Sequence, residues 1–447
     1  MDDLLAARSQ MAMSLAFHII FAAIGIAMPL LMVIAEWRYL RTKDEIYLML
    51  AKRWAKGTSI LFAVGAVSGT VLSFELGLLF PKFMGYAGAI IGMPFSLEGF
   101  AFFTEAIFLG IYLYGWKRIS PAKHLFAGVM VAVSGAASGV FVVIANAWMN
   151  TPTGFRLVNG QMTEIDPIAA MMNPNAFTQS LHMILAAYAA TGFTVAGIHA
   201  FMLLRDRKNR FHRIALAIAL SVGGITAVLQ PLSGDILAKA VAKNQPIKLA
   251  AFEGQFETET SAGVRIGGIP DVEKRETNYA IEIPYGLSIL AYGDPHATVK
   301  GLNDFPQNEH PPVAIVHYAF QIMVGCGMLM LGLAAWSAWR FWRNRKNAAD
   351  KWIASKWFLR ALVCAAPLGF IAIETGWTVT EVGRQPWIIF GVMRTSEAVT
   401  PMPGLVVPFV TFTLLYIFLA IITAWLLLRQ VAASPKEFET AEANNAA

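Results

Sequence analysis

The sequence predicts an all-α membrane protein with about nine transmembrane helices, and three observations carry that expectation. Hydrophobic residues make up 56% of the 447 and charged residues only 14%. The apolar residues come in blocks of about 20 or more, enough at roughly 1.5 Å per residue to cross a hydrocarbon layer of about 30 Å as a helix. The blocks run without a period of two, which selects helices over a closed barrel, the other way to satisfy a backbone away from water.

In chain order, the first span (13–37) follows the acidic "MDDLLAARSQ". No small-residue cleavage site comes after it, so it reads as a retained helix and not a signal peptide. Spans follow at 56–80, carrying Glu75; 93–116, carrying Glu98 and Glu105; and 123–148. The fifth (178–204) holds His182 and His199 and exits into "RDRKNR"; the sixth covers 213–236. A long loop at 237–311 precedes the seventh span (312–340, with His317 and Met323), the eighth (355–378, with Glu374) and the ninth (403–428). The expected organisation is thus helices 1–6 in 1–236, the loop in 237–311, helices 7–9 in 312–430 and a polar, disordered tail in 431–447.

Lysine and arginine orient the chain. The loops after spans 1, 3, 5 and 7, with the tail, hold 23 of the 35. Outside the long loop the opposite side holds five: Arg8, Lys82, Arg156, Arg384 and Arg394. The N-terminus and the long loop are therefore expected outside and the C-terminus in the cytoplasm. The net charge of +6 is this inner bias, and it is no argument for nucleic acid. Cys326 and Cys364 fall in spans as small packing residues, and no CxxCH or paired CxxC supports covalent haem or a cysteine zinc site.

Ionisable side chains cost several kcal/mol inside a bilayer, so each is a functional candidate. Topology puts His18 and His182 within about two turns of the outer surface, and Met323 about three turns into span 7. Glu98 is shallow, and Glu105 lies two turns deeper on the same face. Glu381 emerges at the outer surface with Glu374 two turns below it. Most of the costly groups converge on the outer half. A membrane histidine without a charged neighbour, as at His18 and His182, is explained by a metal or cofactor on its ring nitrogen. His199 reads as an interfacial residue, His317 as a hydrogen-bonded residue at a helix start, and Glu374 as a buried hydrogen-bonding partner. Glu98 and Glu105 read as a proton relay. In the loop, "EIPYGLSILAYGD" is apolar and aromatic at the bilayer edge, as a lipid-soluble ligand requires.

The motifs "FHIIF", "MPFSLEGFAFFTEA", "ANAWMNTPTGF", "SLHMILAAYAATGF", "KLAAFEGQFET", "FQIMVGCG" and "ETGWTVTEVGRQPW" span nearly the whole chain. Together they resemble subunit I of the cytochrome bd family of terminal quinol oxidases. That resemblance implies axial ligation of a low-spin haem b by His182 and Met323. It implies His18 as a ligand at a di-haem oxygen-reducing site, with Glu381 at the other high-spin haem there. A second high-spin haem b and haem d, or a third haem b, are the implied cofactors. Glu98 would stand at the oxygen-binding haem, Glu105 with Ser138 on the proton route to it, Trp377 between haems, and Arg384 at a propionate or carboxylate. Lys248 and Glu253 match a quinol-oxidising pair in the long loop, the so-called Q-loop, here of the short type. Gln321 stands where the family often carries a basic residue near the low-spin haem. The implied partners are subunit II, a small single-span accessory subunit, membrane quinol, oxygen and the lipid bilayer, in a bacterial cytoplasmic membrane. The implied reaction oxidises quinol at the outer face and reduces oxygen to water, taking protons from the cytoplasm without pumping.

Two other classes would also place histidines and glutamates in spans. A proton-coupled transporter should show broken helices near the midplane and an internal repeat, and neither is legible here. A b-type electron-carrying cytochrome needs paired ligands but no carboxylate-lined third site, so Glu98, Glu105 and Glu381 count against it.

Overall fold

A computed structural model of the chain, describing residues 1–344, 352–353 and 355–432, turns the apolar blocks into helices that mostly outrun them. The long ones are α1 (Asp3–Thr42), α2 (Glu45–Leu79), α3 (Pro81–Tyr114) and α4 (Pro121–Asn150). After a short α5 (Pro167–Met171) come α6 (Ala176–Arg205) and α7 (Arg210–Asn244). The loop holds α8 (Pro246–Glu253) and α9 (Gly286–Tyr292). Then follow α10 (Val313–Asn344), α11 (Lys356–Ala365), α12 (Leu368–Val382), the single turn α13 (Thr395–Ala398) and α14 (Val406–Ala432). Nine helical segments among the described residues are long and apolar enough to cross a membrane, Lys356–Val382 counted as one.

Polar caps lengthen the helices beyond the apolar blocks. The carboxylate of Asp2 accepts from the Leu5 amide at 2.7 Å and starts α1 ten residues before its apolar run. Asp44 does the same for α2, and Lys43, at φ 59°, makes the left-handed stop between them. Residues 433–447, most of the expected tail, lie outside the described residues.

The eighth span differs from expectation. It runs to Val382, so Glu381 belongs to its last turn, and it breaks between α11 and α12 at Pro367. Proline has no amide hydrogen and interrupts the ladder. The Ala366 carbonyl is taken instead by the Thr194 hydroxyl of α6 at 2.5 Å, which is how a bundle tolerates such a break inside a bilayer. The sequence reading, which saw no broken helix, missed it.

Neighbours in sequence pack as pairs, α1 with α2, α3 with α4 and α6 with α7, while α10 pairs with α12. Helix α6 is central and touches α1, α4, α7, α11 and α12. The largest apolar cluster, including Met32, Leu50, Phe193, Leu216 and Phe358, fills the end of the bundle where the α1–α2 and α6–α7 turns lie. Toward the other end the packing thins to a small cluster around Ile19, Ala187 and Ile373. His18, His182, Met323, Glu381 and Arg384 belong to that thinner end, under residues 245–312, whereas His199 is buried at the other. Five two-stranded ladders, all in connecting segments, are the departures from an all-helical chain among the described residues. Cys326 is buried as expected, but Cys364 is exposed on the surface of α11.

Helices α6 and α7 meet through glycine. A Cβ on Gly192 would lie 2.6 Å from the Cα of Gly223, so only glycine allows this approach, a usual solution where helices associate in lipid. Gly192→Leu is expected to push α7 off α6 and to destabilise the fold by about 1–3 kcal/mol. A lower unfolding temperature with unchanged helix content, by circular dichroism, is the expected reading.

Candidate functional site

His182 reaches from α6 to α7. Its Nδ1 lies 2.9 Å from the Ser233 hydroxyl, and the Gln230 side-chain amide lies 3.3 Å from Nδ1 and 3.1 Å from Nε2. Met323 on α10 points its sulfur at α12, where a Cβ on Gly376 would come within 3.0 Å of it. The imidazole and thioether thus line the region where α6, α7, α10 and α12 pack together.

His18 on α1 is built in the same way. Its Nδ1 lies 3.0 Å from the Ser68 hydroxyl of α2, and a Cβ on Gly69 would fall 2.9 Å from the ring. Holding one ring nitrogen fixes the tautomer and leaves Nε2 for a metal. Trp377 packs with Ile19 of α1 and Ala187 of α6, between the helices that carry the two histidines.

A polar network sits at the end of α12. Arg384 is 2% exposed and gives one N–H to Glu381 Oε2 at 2.5 Å. The other Glu381 oxygen accepts from the Asn146 amide of α4. Asn150, one turn along, donates to the Asn146 carbonyl at 2.9 Å and accepts from Lys248 Nζ at 2.5 Å. Lys248 also donates to the Thr380 carbonyl at 3.1 Å. Burial, then the nearby Arg384, hold the Lys248 ammonium well below the usual lysine range, with Glu381 opposing. Arg384 keeps Nε and Nη1 buried without a partner.

On α3, the Ser138 hydroxyl of α4 donates to Glu98 at 3.1 Å. Of the two glutamates, Glu98 is thus the one that Ser138 meets directly. Glu105 is 5% exposed and lies against Gly135, where a Cβ would be 3.2 Å from its carboxylate.

Glu253 and Lys248 share the short helix α8 but face different partners. The charge felt by Glu253 is Arg265, which itself pairs with Glu259 at 3.1 Å. Burial pushes the Glu253 carboxyl up to about 8, with Arg265 opposing, and its Oε2 has no partner. Gln321 spends its amide on loop backbone, accepting from the Gly267 N–H and donating to the Arg265 carbonyl, each at 3.0 Å. His317 also braces the loop, its ring nitrogens 2.9 Å from the Phe252 carbonyl and 3.0 Å from that of Gly267.

Several residues were missed or misread in the sequence. Asn146 and Asn150 stand one turn apart at the end of the fourth apolar span, a signal that was available and passed over. Ser68, Ser233 and Gln230 gave none, because a lone hydroxyl or amide in a span satisfies itself against its own helix. His199, read as interfacial, is buried with its Nδ1 2.9 Å from Nδ1 of His212. Glu374 is not the hydrogen-bonded partner expected, since its Oε1 is buried without one.

The donor set suits haem iron: imidazole, thioether and carboxylate are ligands that supply one or two axial bonds to a metal already held by a macrocycle. Among the described residues no three His, Cys, Asp or Glu side chains converge as a bare ion would need. The glycines against His18 and Met323 keep bulk away from both side chains, and the orphaned N–H groups of Arg384 suit a carboxylate such as a propionate.

Residues 6–435 match the family described as cytochrome bd terminal oxidase subunit I. The chain is 40% identical to a Bacillus subtilis (strain 168) protein provisionally named cytochrome bd menaquinol oxidase subunit I, over 99% of this chain and 100% of that one. It is 32% identical to the cytochrome bd ubiquinol oxidase subunit 1 of the same organism, over 96% and 94%. Among solved structures it is similar to the bd oxidase from Geobacillus thermodenitrificans, with a TM-score of 0.91, 43% identity and coverage of 97% and 99%.

A raised Glu253 has a consequence for pH. Its folded value of about 8 exceeds the ordinary 4.5, so its contribution to stability is complete below about 4.5 and is lost as pH rises through about 8. Hydrogen exchange in residues 246–266 is expected to quicken across that window. Glu253→Gln should flatten the dependence.

Proposed function

The chain belongs to the cytochrome bd terminal oxidase subunit I family, a subunit of a haem-containing quinol oxidase that works with a subunit II, and from that premise we propose how its residues divide the work. His182 and Met323 would hold a low-spin haem b. His18 and Glu381 would hold iron at the oxygen-reducing site, as a second haem b and a haem d or third haem b. When bound, the haems supply one-electron transfer and the reduction of oxygen to water.

The chain's own part is to bind, orient and move protons. Ser233 and Ser68 would fix the two histidine rings through Nδ1 with Nε2 toward iron, which at His182 requires the Gln230 amide, 3.1 Å from Nε2 here, to turn aside. Arg384 would neutralise a propionate with the N–H groups it does not give to Glu381. The apolar surface of 281–293 would admit quinol from the bilayer, and Glu253, its pKa raised by burial to about 8, would take a proton from it in its carboxylate form and release that proton outside before the next turnover. Glu105 and Glu98, with Ser138, would bring protons from the cytoplasmic side. Quinol oxidation outside and proton uptake inside would then separate charge without pumping. The bundle would lie in a bacterial cytoplasmic membrane with its N-terminus outside.

The observation that carries this reading is the chain of contacts from Lys248 through Asn150 and Asn146 to Glu381. It ties the loop that would oxidise quinol to a residue that would hold iron. Lys248 then acts as a positioning group in that chain, whereas Glu253 alone faces the loop interior.

Met323→Leu is expected to convert a low-spin haem to high-spin in the reduced spectrum; an unchanged spectrum would remove Met323 from the site. Glu253→Gln should slow quinol oxidation by about 100-fold while sparing oxygen reduction from an artificial donor that bypasses the loop. Equal loss of both activities would overturn the loop assignment.

A further inference from the structure

We infer that Glu36, His124 and Tyr112 form a proton-loading site that feeds Glu105, an inference resting on the proposed role of Glu105 and Glu98 in proton uptake. The three come from α1, α4 and α3 at the end of the bundle opposite the loop. Glu36 is 2% exposed, His124 3% and Tyr112 0%. His124 Nδ1 lies 2.8 Å from Glu36 Oε1, and Nε2 lies 2.9 Å from the Tyr112 carbonyl, so with hydrogen on Nε2 both contacts are hydrogen bonds when one further proton is shared between Nδ1 and Glu36. The Tyr112 hydroxyl lies beside the Glu36 carboxylate, though neither it nor Glu36 Oε2 has a partner at full hydrogen-bond geometry. The carboxylate thus stands between the imidazole and the phenol, the order a proton would follow.

The cluster continues the polar seam described above. Tyr112, Glu105 and Glu98 follow one another on α3 at intervals of seven residues, which keeps them on one face about 10 Å apart. Helix α4 is cut away or polar opposite each. A Cβ on Gly128 would lie 2.7 Å from the Tyr112 ring, Gly135 backs Glu105, and Ser138 bonds Glu98. Leu109, buried between Tyr112 and Glu105, is an apolar step in the seam and makes the transfer gated rather than continuous.

The other face of the cluster leads to the surface. The Trp116 ring lies on that of His124 at 4.0 Å, and Lys52 Nζ lies 5.3 Å from the Trp116 ring centre. Lys52, with Glu45, Arg53 and Lys56, lines a surface cavity of about 430 Å³. The groups facing the site are therefore Glu36 of α1, Tyr112 of α3, His124 of α4 and, beyond Trp116, Lys52 of α2. One proton enters from water on that side and is held between Glu36 and His124. The same proton leaves through the Tyr112 hydroxyl and water toward the Glu105 carboxylate. The pair returns to its starting charge, and no electron moves.

The test uses the whole oxidase, with subunit II and haems, in vesicles of known orientation. Glu36→Gln and Tyr112→Phe, the second leaving the His124–Glu36 pair intact, are compared with Glu105→Gln. Expected are unchanged haem spectra, proton uptake slowed at least about tenfold in all three, and an alkaline limb of turnover moved to lower pH. If Glu105→Gln slows uptake but Tyr112→Phe and Glu36→Gln do not, the loading site is overturned and the role of Glu105 stands. If Glu105→Gln leaves uptake untouched, the role of Glu105 and the loading site fall together. Should Glu36→Gln fail to fold, Tyr112→Phe decides alone.

Discussion

A polar group buried among helices in hydrocarbon must find its partner inside the protein, and most of this structure follows from that requirement. Ser68 and Ser233 serve the two histidines, Asn146 and Arg384 serve Glu381, and Asn150 serves Lys248. Each partner comes from a different helix than the group it serves, except Arg384, which follows Glu381 by three residues. Satisfying the polar atoms therefore also fixes how the helices are arranged. Some buried polar atoms keep no partner within the protein, among them Arg384 Nε and Nη1 and Glu253 Oε2.

The division of the bundle into two ends has the same origin. The end with the tight helix turns is packed with apolar side chains, and the end under the loop is packed lightly. The His18 and His182 imidazoles, the Met323 thioether and the Glu381 carboxylate belong to that lightly packed end. The loop closes that end through its own backbone, held by Gln321 and His317, so its position depends on α10 and not on contacts among its hairpins alone. Lys248 extends the same closure into α4 and α12.

Glycine sets the spacing within this frame. Gly192 and Gly223 let α6 and α7 touch, and Gly69 and Gly376 leave room beside His18 and Met323. These positions carry no chemistry, yet a side chain at any of them would move a helix or crowd His18 or Met323.

How much could be read beforehand differs between fold and site. The nine apolar segments were legible because hydrocarbon imposes a length and an absence of charge that any reader of the chain can see. The break at Pro367 was written in the residue itself and was overlooked, since a single proline inside an apolar run does not lower its hydropathy enough to be noticed. Of the site, the bare list of costly residues was legible: His18, His182, Glu98, Glu105, Glu381 and Arg384 stand out by expense alone. Their partners were not, because Ser68, Ser233 and Asn146 are cheap residues whose meaning depends on the helix opposite. Glu36 and His124 escaped because each lies near the basic end of its span, where charge looks interfacial, and only the packing of α1, α3 and α4 buries them. By itself, then, the sequence determined that this chain crosses a membrane in helices and which side chains are too costly to be there without purpose. Only the tertiary structure decided which of them meet, because pairing across helices is set by packing geometry and leaves no period in the chain.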